Sequence, residues 1–306
     1  MRHLLLSLGL SVLGLAQIVI PISAQAEQLG YGRLIVNDFL GDGHDRWRSG
    51  SIVGSHVFGP KWMDQLPEDM GEIVELRILG QIIAPSNLQS PPAGDRPYAA
   101  ALSVGAHTHF QRNSLEFSLG GDLTILGPQN GLGDFQNFLH DSFGIEGPSS
   151  GVLGSQVGNK TTLSAVAEVG KSLSLGSNAS LRPFLEARAG DETLVRAGFD
   201  LTIGNIGQGD LLVRDPITGL RYRTIQQRED GMAFFIGADI AYVDSSIYLP
   251  TSSGISLENT RHRIRAGVEM QRKKYSIYYG ASWLSPEFSG QPEGQVLGAI
   301  RIKFDF

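Results

Sequence analysis

His140 and Glu146 stand six residues apart in this 306-residue chain, downstream of Gly127-Pro128 and Asp134-Phe135-Gln136-Asn137. On a long loop, such a pair can supply a general base and an oxygen ligand for a hard cation such as Ca2+. A second stretch runs Val36-Asn37-Asp38-Phe39 and then Gly41-Asp42-Gly43-His44-Asp45-Arg46-Trp47-Arg48-Ser49-Gly50-Ser51. Its Asp-x-Gly-x-Asp character invites a calcium-loop reading. The closing glutamate and flanking helices of an EF-hand are missing, however, so by itself it reads as a solvated turn between two strands. A third, Gly94-Asp95-Arg96-Pro97-Tyr98-Ala99, sets opposite charges side by side before a proline and reads as a structural ion pair. Each motif is weak alone; the set has chemical meaning only if the intervening elements bring its members to one rim.

Those elements are strands. Apolar and polar residues alternate with period two to the end of the chain, as half-buried strands require. Val296, Gly298, Ile300, Ile302, Phe304 and Phe306 share one face, with Arg301, Lys303 and Asp305 on the other. Likewise Tyr275, Ile277, Tyr279, Ala281 and Trp283 oppose Lys274, Ser276, Tyr278, Gly280 and Ser282. A third segment opposes His262, Ile264, Ala266 and Val268 to Arg261, Arg263, Arg265 and Glu269, a row that suits the hydrated lining of a lumen, its charges paired with one another. The pattern predicts strands at 31–39, 50–58, 71–84, 98–109, 113–126, 160–174, 179–190, 193–204, 231–245, 259–271, 273–284 and 294–306. Tight turns such as Gln111-Arg112-Asn113 alternate with long loops at 59–70, 85–97, 127–159, 205–230, 246–258 and 285–293. An even count of amphipathic strands joined this way predicts an all-β fold, a twelve-stranded antiparallel transmembrane β-barrel of the bacterial outer membrane. The soluble alternative, an exported β-sandwich or lipocalin-like barrel, would turn its apolar face inward.

Residues 1–26 read as an address. Arg2-His3, an apolar run from Leu4 to Ile20 and Ala24-Gln25-Ala26 predict a signal peptide cleaved after Ala26, leaving 27–306 as the barrel domain. The chain has no cysteine, which excludes disulfide scaffolds, thiol nucleophiles and zinc ribbons. A net charge of −6 argues against nucleic acid as a partner.

Taken in order, Asn37-Asp38, Asp45-Arg46 with Ser49-Gly50, Gly94-Asp95-Arg96-Pro97-Tyr98-Ala99, Gly127-Pro128, and Gln136 with His140 and Glu146 resemble the outer-membrane lipid A 3′-O-deacylase family. The likeness spans nearly the whole mature chain. It implies a Ca2+-dependent esterase that removes the 3′-linked acyloxyacyl group of lipid A in the outer leaflet of lipopolysaccharide, acting as a monomer among outer-membrane lipids. In that likeness His140 takes a proton from water, Asp38 orients the imidazole or helps hold the metal, Glu146 binds Ca2+ and Asn37 donates to the oxyanion. Ser49 is a polar support or the nucleophile. The family's site lysine is missing from Pro85 to Gly94, and its tyrosine beyond the glutamate is replaced by Gly147-Pro148. Arg48 or Arg96 would then supply the positive charge for substrate binding. The competing readings are an outer-membrane phospholipase, whose serine–histidine signature is not evident, and a non-enzymatic barrel, a narrow porin or structural protein.

Overall fold

A computed structural model describes residues 26–227 and 229–304. The signal peptide expected at 1–26, apart from Ala26, and the terminal Phe306 lie outside the described residues.

Among the described residues fifteen strands form: β1 (Glu27–Asn37), β2 (Trp47–Gly59), β3 (Ile73–Ala84), β4 (Ala99–Arg112), β5 (Leu115–Leu126), β6 (Lys160–Gly170), β7 (Leu173–Ser174), β8 (Ala179–Ala189), β9 (Glu192–Gly204), β10 (Leu211–Arg214), β11 (Arg221–Ile225), β12 (Gly231–Ser246), β13 (Thr260–Arg272), β14 (Tyr275–Leu284) and β15 (Gln295–Phe304). All but β7, β10 and β11 belong to a closed twelve-stranded antiparallel barrel, in which β1 pairs with β15 and β6 with β8. Closure leaves no free sheet edge facing outward at these two seams where they pair, which a wall facing hydrocarbon favours. The alternation falls as the sequence predicts. Ile277, Tyr279 and Trp283 face outward, whereas Ser276, Tyr278 and Ser282 are buried inside.

The start of β1 at Glu27 and the end of β15 at Phe304 lie at one rim. Bacterial barrels hold short turns at the periplasmic end and long loops outside, so the loops following β1, β3, β5, β12 and β14 mark the extracellular rim.

The lumen is not simply a hydrated polar space. The segment 205–230, expected to be a loop, folds back from the periplasmic rim as the hairpin β10–β11. Its Leu211, Val213, Leu220, Tyr222 and Ile225 pack on Leu34, Val36, Val53, Val57 and Ile73 of the wall, giving that half of the lumen an apolar core. The opposite half is ionic, as the arginine row predicts. Arg263 binds Asp239 at 3.0 Å, Arg265 reaches Asp200 at 2.6 Å and also Asp239, and Glu269 takes Arg223 at 3.0 Å as well as Arg301. Among the described residues the lumen keeps cavities of about 50 Å³, each with room for a few waters.

The loop between β5 and β6 carries helices at Leu132–Phe143 and Ser150–Gly154. Gly131 and Gly144 bracket the first at φ 72° and 68°, a left-handed conformation that glycine adopts without strain. Leu132 packs over Gly80, on the outward row of β3. Val152 packs with Ala84, Tyr98 and Ala100. The helices therefore lie against the outside of the wall, over β3 and β4, and not across its mouth.

Candidate active site at the extracellular rim

The first turn after β1 positions a carboxylate. Asp38 donates its backbone N–H to the Ser49 carbonyl at 3.1 Å, extending the β1–β2 ladder by one rung. Its Oδ1 accepts the Phe39 N–H at 2.9 Å and its Oδ2 the Arg46 N–H at 2.6 Å. Asp38 is 1% exposed. Burial, opposed by those two backbone donors and reinforced by the nearby carboxylates of Asp45 and Asp42, pushes its pKa up to about 8. Among the described residues no cationic side chain pairs with it.

Asn37 turns its Oδ1 to the Phe39 N–H at 2.9 Å, so its Nδ2, lying over Gly50, remains a donor. The Ser49 hydroxyl is buried beside this turn and has no hydrogen-bond partner.

His140 comes from the other side, on the last turn of the helix Leu132–Phe143. Its Nδ1 lies 3.2 Å from the Glu146 carbonyl oxygen and its Nε2 lies 3.5 Å from Asp45 Oδ2. A carbonyl oxygen only accepts, so Nδ1 donates here, and in the neutral imidazole the Nε2 lone pair then faces the gap in front of Asp45. The helix is tied to the wall by Tyr98, which donates to Gln136 Oε1 at 2.6 Å.

The structure thus brings Asn37, Asp38 and Ser49 together on the β1–β2 turn and sets His140 across from Asp45. Glu146 contributes its backbone carbonyl to His140, while its side chain is exposed. The carboxylate facing His140 is Asp45 and not Asp38, whose oxygens are both engaged by backbone N–H groups. Sequence reading quoted Asp45, Tyr98 and Gln136 but gave them no role. Their partners are fixed only when a helix docks on the wall, and local spacing carries no trace of that contact.

Arg48 and Arg96, expected to bind substrate, are both buried and paired with one carboxylate of the loop after β14. Arg96 is fully buried and donates to Glu287 Oε2 at 2.5 Å; Arg48 binds Glu287 Oε1 at 2.8 Å and Gln81 at 2.9 Å. Burial would raise the Glu287 pKa, but Arg48, Arg261 and Arg96 hold its carboxyl well below the usual carboxylate range. Arg48 is thus committed inside the lumen, whereas Arg96 keeps its Nε and Nη2 buried without a hydrogen-bond partner among the described residues. The ion pair expected of Asp95 and Arg96 is not made between those two side chains. Asp95 Oδ2 accepts from the Ser86 N–H and hydroxyl, each at 2.6 Å.

The donor set on the β1–β2 turn suits a hard cation. Calcium takes oxygen ligands from carboxylates, amides and hydroxyls, and here a buried carboxylate without a counter-ion adjoins a buried hydroxyl without a partner. The described residues hold no ready-made cluster of three His, Asp or Glu side chains, so any such site would draw on the amide, the hydroxyl, backbone oxygens and the exposed Glu146.

Fold and site together define a plugged outer-membrane β-barrel with a polar site on the membrane side of its outer rim. The chain belongs to the LpxR outer membrane protein family, whose pattern it matches over residues 10–306. Among solved structures it is similar to LpxR from Salmonella typhimurium, with a TM-score of 0.75 at 20% identity, covering 90% of this chain and 100% of that one. The transport unit of the autotransporter AIDA-I from Escherichia coli aligns at a TM-score of 0.38 and 11% identity, covering 98% of this chain and 96% of that one. The β domain of the Bordetella autotransporter BrkA aligns at 0.40 and 10% identity, covering 92% and 100%. A comparison with curated proteins returns no match.

Proposed function

We propose that the chain is a Ca2+-dependent lipid A 3′-O-deacylase, hydrolysing the 3′-linked acyloxyacyl ester in the outer leaflet. The observation that carries this reading is the His140 imidazole, held by the Glu146 carbonyl with its Nε2 lone pair aimed at the gap before Asp45, outside the barrel wall. A water in that gap gives a proton to Nε2 as its oxygen attacks the ester carbonyl carbon, and Asp45 stabilises the imidazolium that forms. The Asn37 Nδ2 donates to the developing oxyanion. When the tetrahedral intermediate collapses, the C–O bond to the sugar breaks and the imidazolium returns its proton to the departing sugar oxygen. The products are a free acyloxyacyl acid and a 3′-hydroxyl.

Asn37, Asp38, Ser49 and Glu146 would hold Ca2+. When bound, that ion supplies Lewis-acid polarisation of the carbonyl. Ser49 serves as a support in this scheme, because the imidazole lies across from Asp45 and no base contacts the Ser49 hydroxyl. The porin reading fits poorly with a lumen filled by a hairpin.

Mass spectrometry of lipid A incubated with the refolded protein tests the proposal. Loss of one 3′ acyloxyacyl unit with Ca2+, and none with EDTA, is expected. Unchanged lipid A from folded protein in Ca2+ would overturn it.

A further inference from the structure

Arg33 stands in the middle of β1, on the row that looks out of the barrel. Leu34 and Val36 point inward onto the hairpin, whereas Tyr31, Arg33 and Ile35 are exposed on the outer wall. Among the described residues Arg33 is the one charged side chain that faces out from the wall more than two residues from a strand end. An arginine on the lipid face is costly at the bilayer midplane and nearly free of cost at the interface. Aromatic residues tell which applies. Continuing the β1–β15 register from Ile35–Ile300 sets Tyr31 level with Phe304, and Phe304 pairs with Tyr275 at the periplasmic end of the wall. These rings mark the periplasmic boundary of the apolar band, as such girdles do. Arg33 lies two residues above them, a distance its side chain spans with its methylenes in lipid and its head in the polar layer.

Its neighbours on the outer face are polar as well. Tyr31 pairs with His56 across the β1–β2 ladder, their rings 4.6 Å apart, and the Tyr31 hydroxyl lies over Gly54, the residue opposite Arg33. With no side chain, Gly54 leaves a shallow floor between Tyr31 and Arg33. Gln28 Nε2, which only donates, lies 3.0 Å from His56 Nδ1, so in the neutral ring the proton sits on Nε2. Arg33 itself makes one long contact, from Nη2 to the Ile302 carbonyl at 3.4 Å, just below the last rung of the β1–β15 ladder. Among the described residues no carboxylate pairs with it. A guanidinium, a phenol and an imidazole N–H therefore face lipid together without an anion, bordered by the exposed Ile35, Ile52 and Ile302.

We propose that this patch binds the phosphodiester of a glycerophospholipid in the periplasmic leaflet. The guanidinium fork matches two phosphate oxygens. The Tyr31 hydroxyl and the His56 Nε2–H donate to the same group, and the acyl chains run up the wall along Ile35 and Ile302. Position selects a lipid over a soluble phosphate, because the patch lies on the outer wall beside the periplasmic girdle and is approached through the leaflet. The site is on the opposite half of β1 from Asn37 and does not rest on any activity at the extracellular rim.

Native mass spectrometry of the refolded protein in an uncharged detergent tests the site. The probe is dimyristoylphosphatidylglycerol, and the control is dimyristoylglycerol, which has the same chains and no phosphate. Wild type should retain one phosphatidylglycerol in preference to the diacylglycerol, and R33Q should weaken that retention roughly tenfold or more, as the loss of a charge-assisted pair implies. Excess inorganic phosphate should leave the lipid in place; displacement by it would mean that the patch reads free phosphate and would overturn a lipid site. Equal retention of the two lipids would overturn the proposal. So would equal retention of phosphatidylglycerol by R33Q and wild type at matched heat-modifiable mobility, which would leave Arg33 as a clasp on the seam. Should R33Q not fold, Y31F/H56F with Arg33 intact takes its place: retention several-fold weaker is expected, and wild-type retention would overturn the shared site. Lipid A hydrolysis enters none of these readings, so failure of the deacylase proposal leaves them unchanged.

Discussion

Asp38 is the buried carboxyl of the rim site, 1% exposed. A carboxyl whose pKa rises from 3.8 to about 8 on folding stays protonated in the folded chain while it is ionised in the unfolded one. Between those values the folded state binds the extra proton, so the contribution of this group to stability falls as pH rises from 3.8 towards 8 and levels off above. In EDTA, the urea midpoint of the refolded protein should therefore decline over that window, and D38N should remove most of this slope. A pH-independent gap between the two proteins would contradict it. Glu287 works in the opposite sense, a carboxylate caught between guanidiniums. Glu287→Gln keeps its shape and removes its charge, stranding Arg96 and leaving Arg48 and Arg261 to share Glu192. Loss of one partner from a buried ionic cluster costs about 3–5 kcal/mol, to be read from equilibrium urea unfolding in detergent.

At the scale of elements, the twelve wall strands were legible because each faces lipid on one side and the lumen on the other, which writes period two into the sequence. Predicted and observed bounds differ by a few residues; β15, for example, runs from Gln295 where 294 was expected. The rim and the plug were not legible, for physical reasons. At Trp47, Arg48 and Ser49 the alternation stops, because both faces of β2 are covered there. In β10 and β11 nearly every side chain is buried, so Leu211–Arg214 and Arg221–Ile225 show no polar face to betray a strand. The helix Leu132–Phe143 hides for another reason: Gln136 is buried against the wall while Phe135 and Phe138 stand exposed beside Asp134 and Asp141. Of the site itself, Asn37, Asp38, Ser49 and His140 could be named from motifs. That Asp45 faces the imidazole, and that Arg48 and Arg96 pair with Glu287, emerges only from tertiary contacts. The helix is held by few polar ties, so Tyr98→Phe should matter. It leaves the Gln136 oxygen without its donor, with an expected loss of about 1 kcal/mol. A several-fold fall in deacylation at full Ca2+, with secondary structure unchanged, would be the accompanying sign that the helix positions His140.

As a whole molecule, the barrel is closed twice, once by its strands and again by the hairpin inside. The β1–β15 seam pairs only at its extracellular end, at Ile35–Ile300, Val36–Ala299 and Asn37–Gly298. Along the lower half of β1, β11 packs from within and Arg301 reaches inward to the Arg223 carbonyl at 3.0 Å. Replacing 209–227 by a short glycine–serine link should therefore open an ion path and loosen the seam. Planar-bilayer recordings should show no steady conductance for the intact protein and discrete steps for the deletion. Steady conductance through the intact protein would restore the porin reading.

The central claim is that His140 draws a proton from water at a site on the membrane side of the rim. The rate of 3′ deacylation by His140→Ala and wild type, side by side in saturating Ca2+ with matched heat-modifiable mobility, tests it most directly. Removal of the general base should lower the rate by roughly 10²–10⁴-fold while the barrel stays folded. A folded His140→Ala protein that deacylates at the wild-type rate would contradict the account.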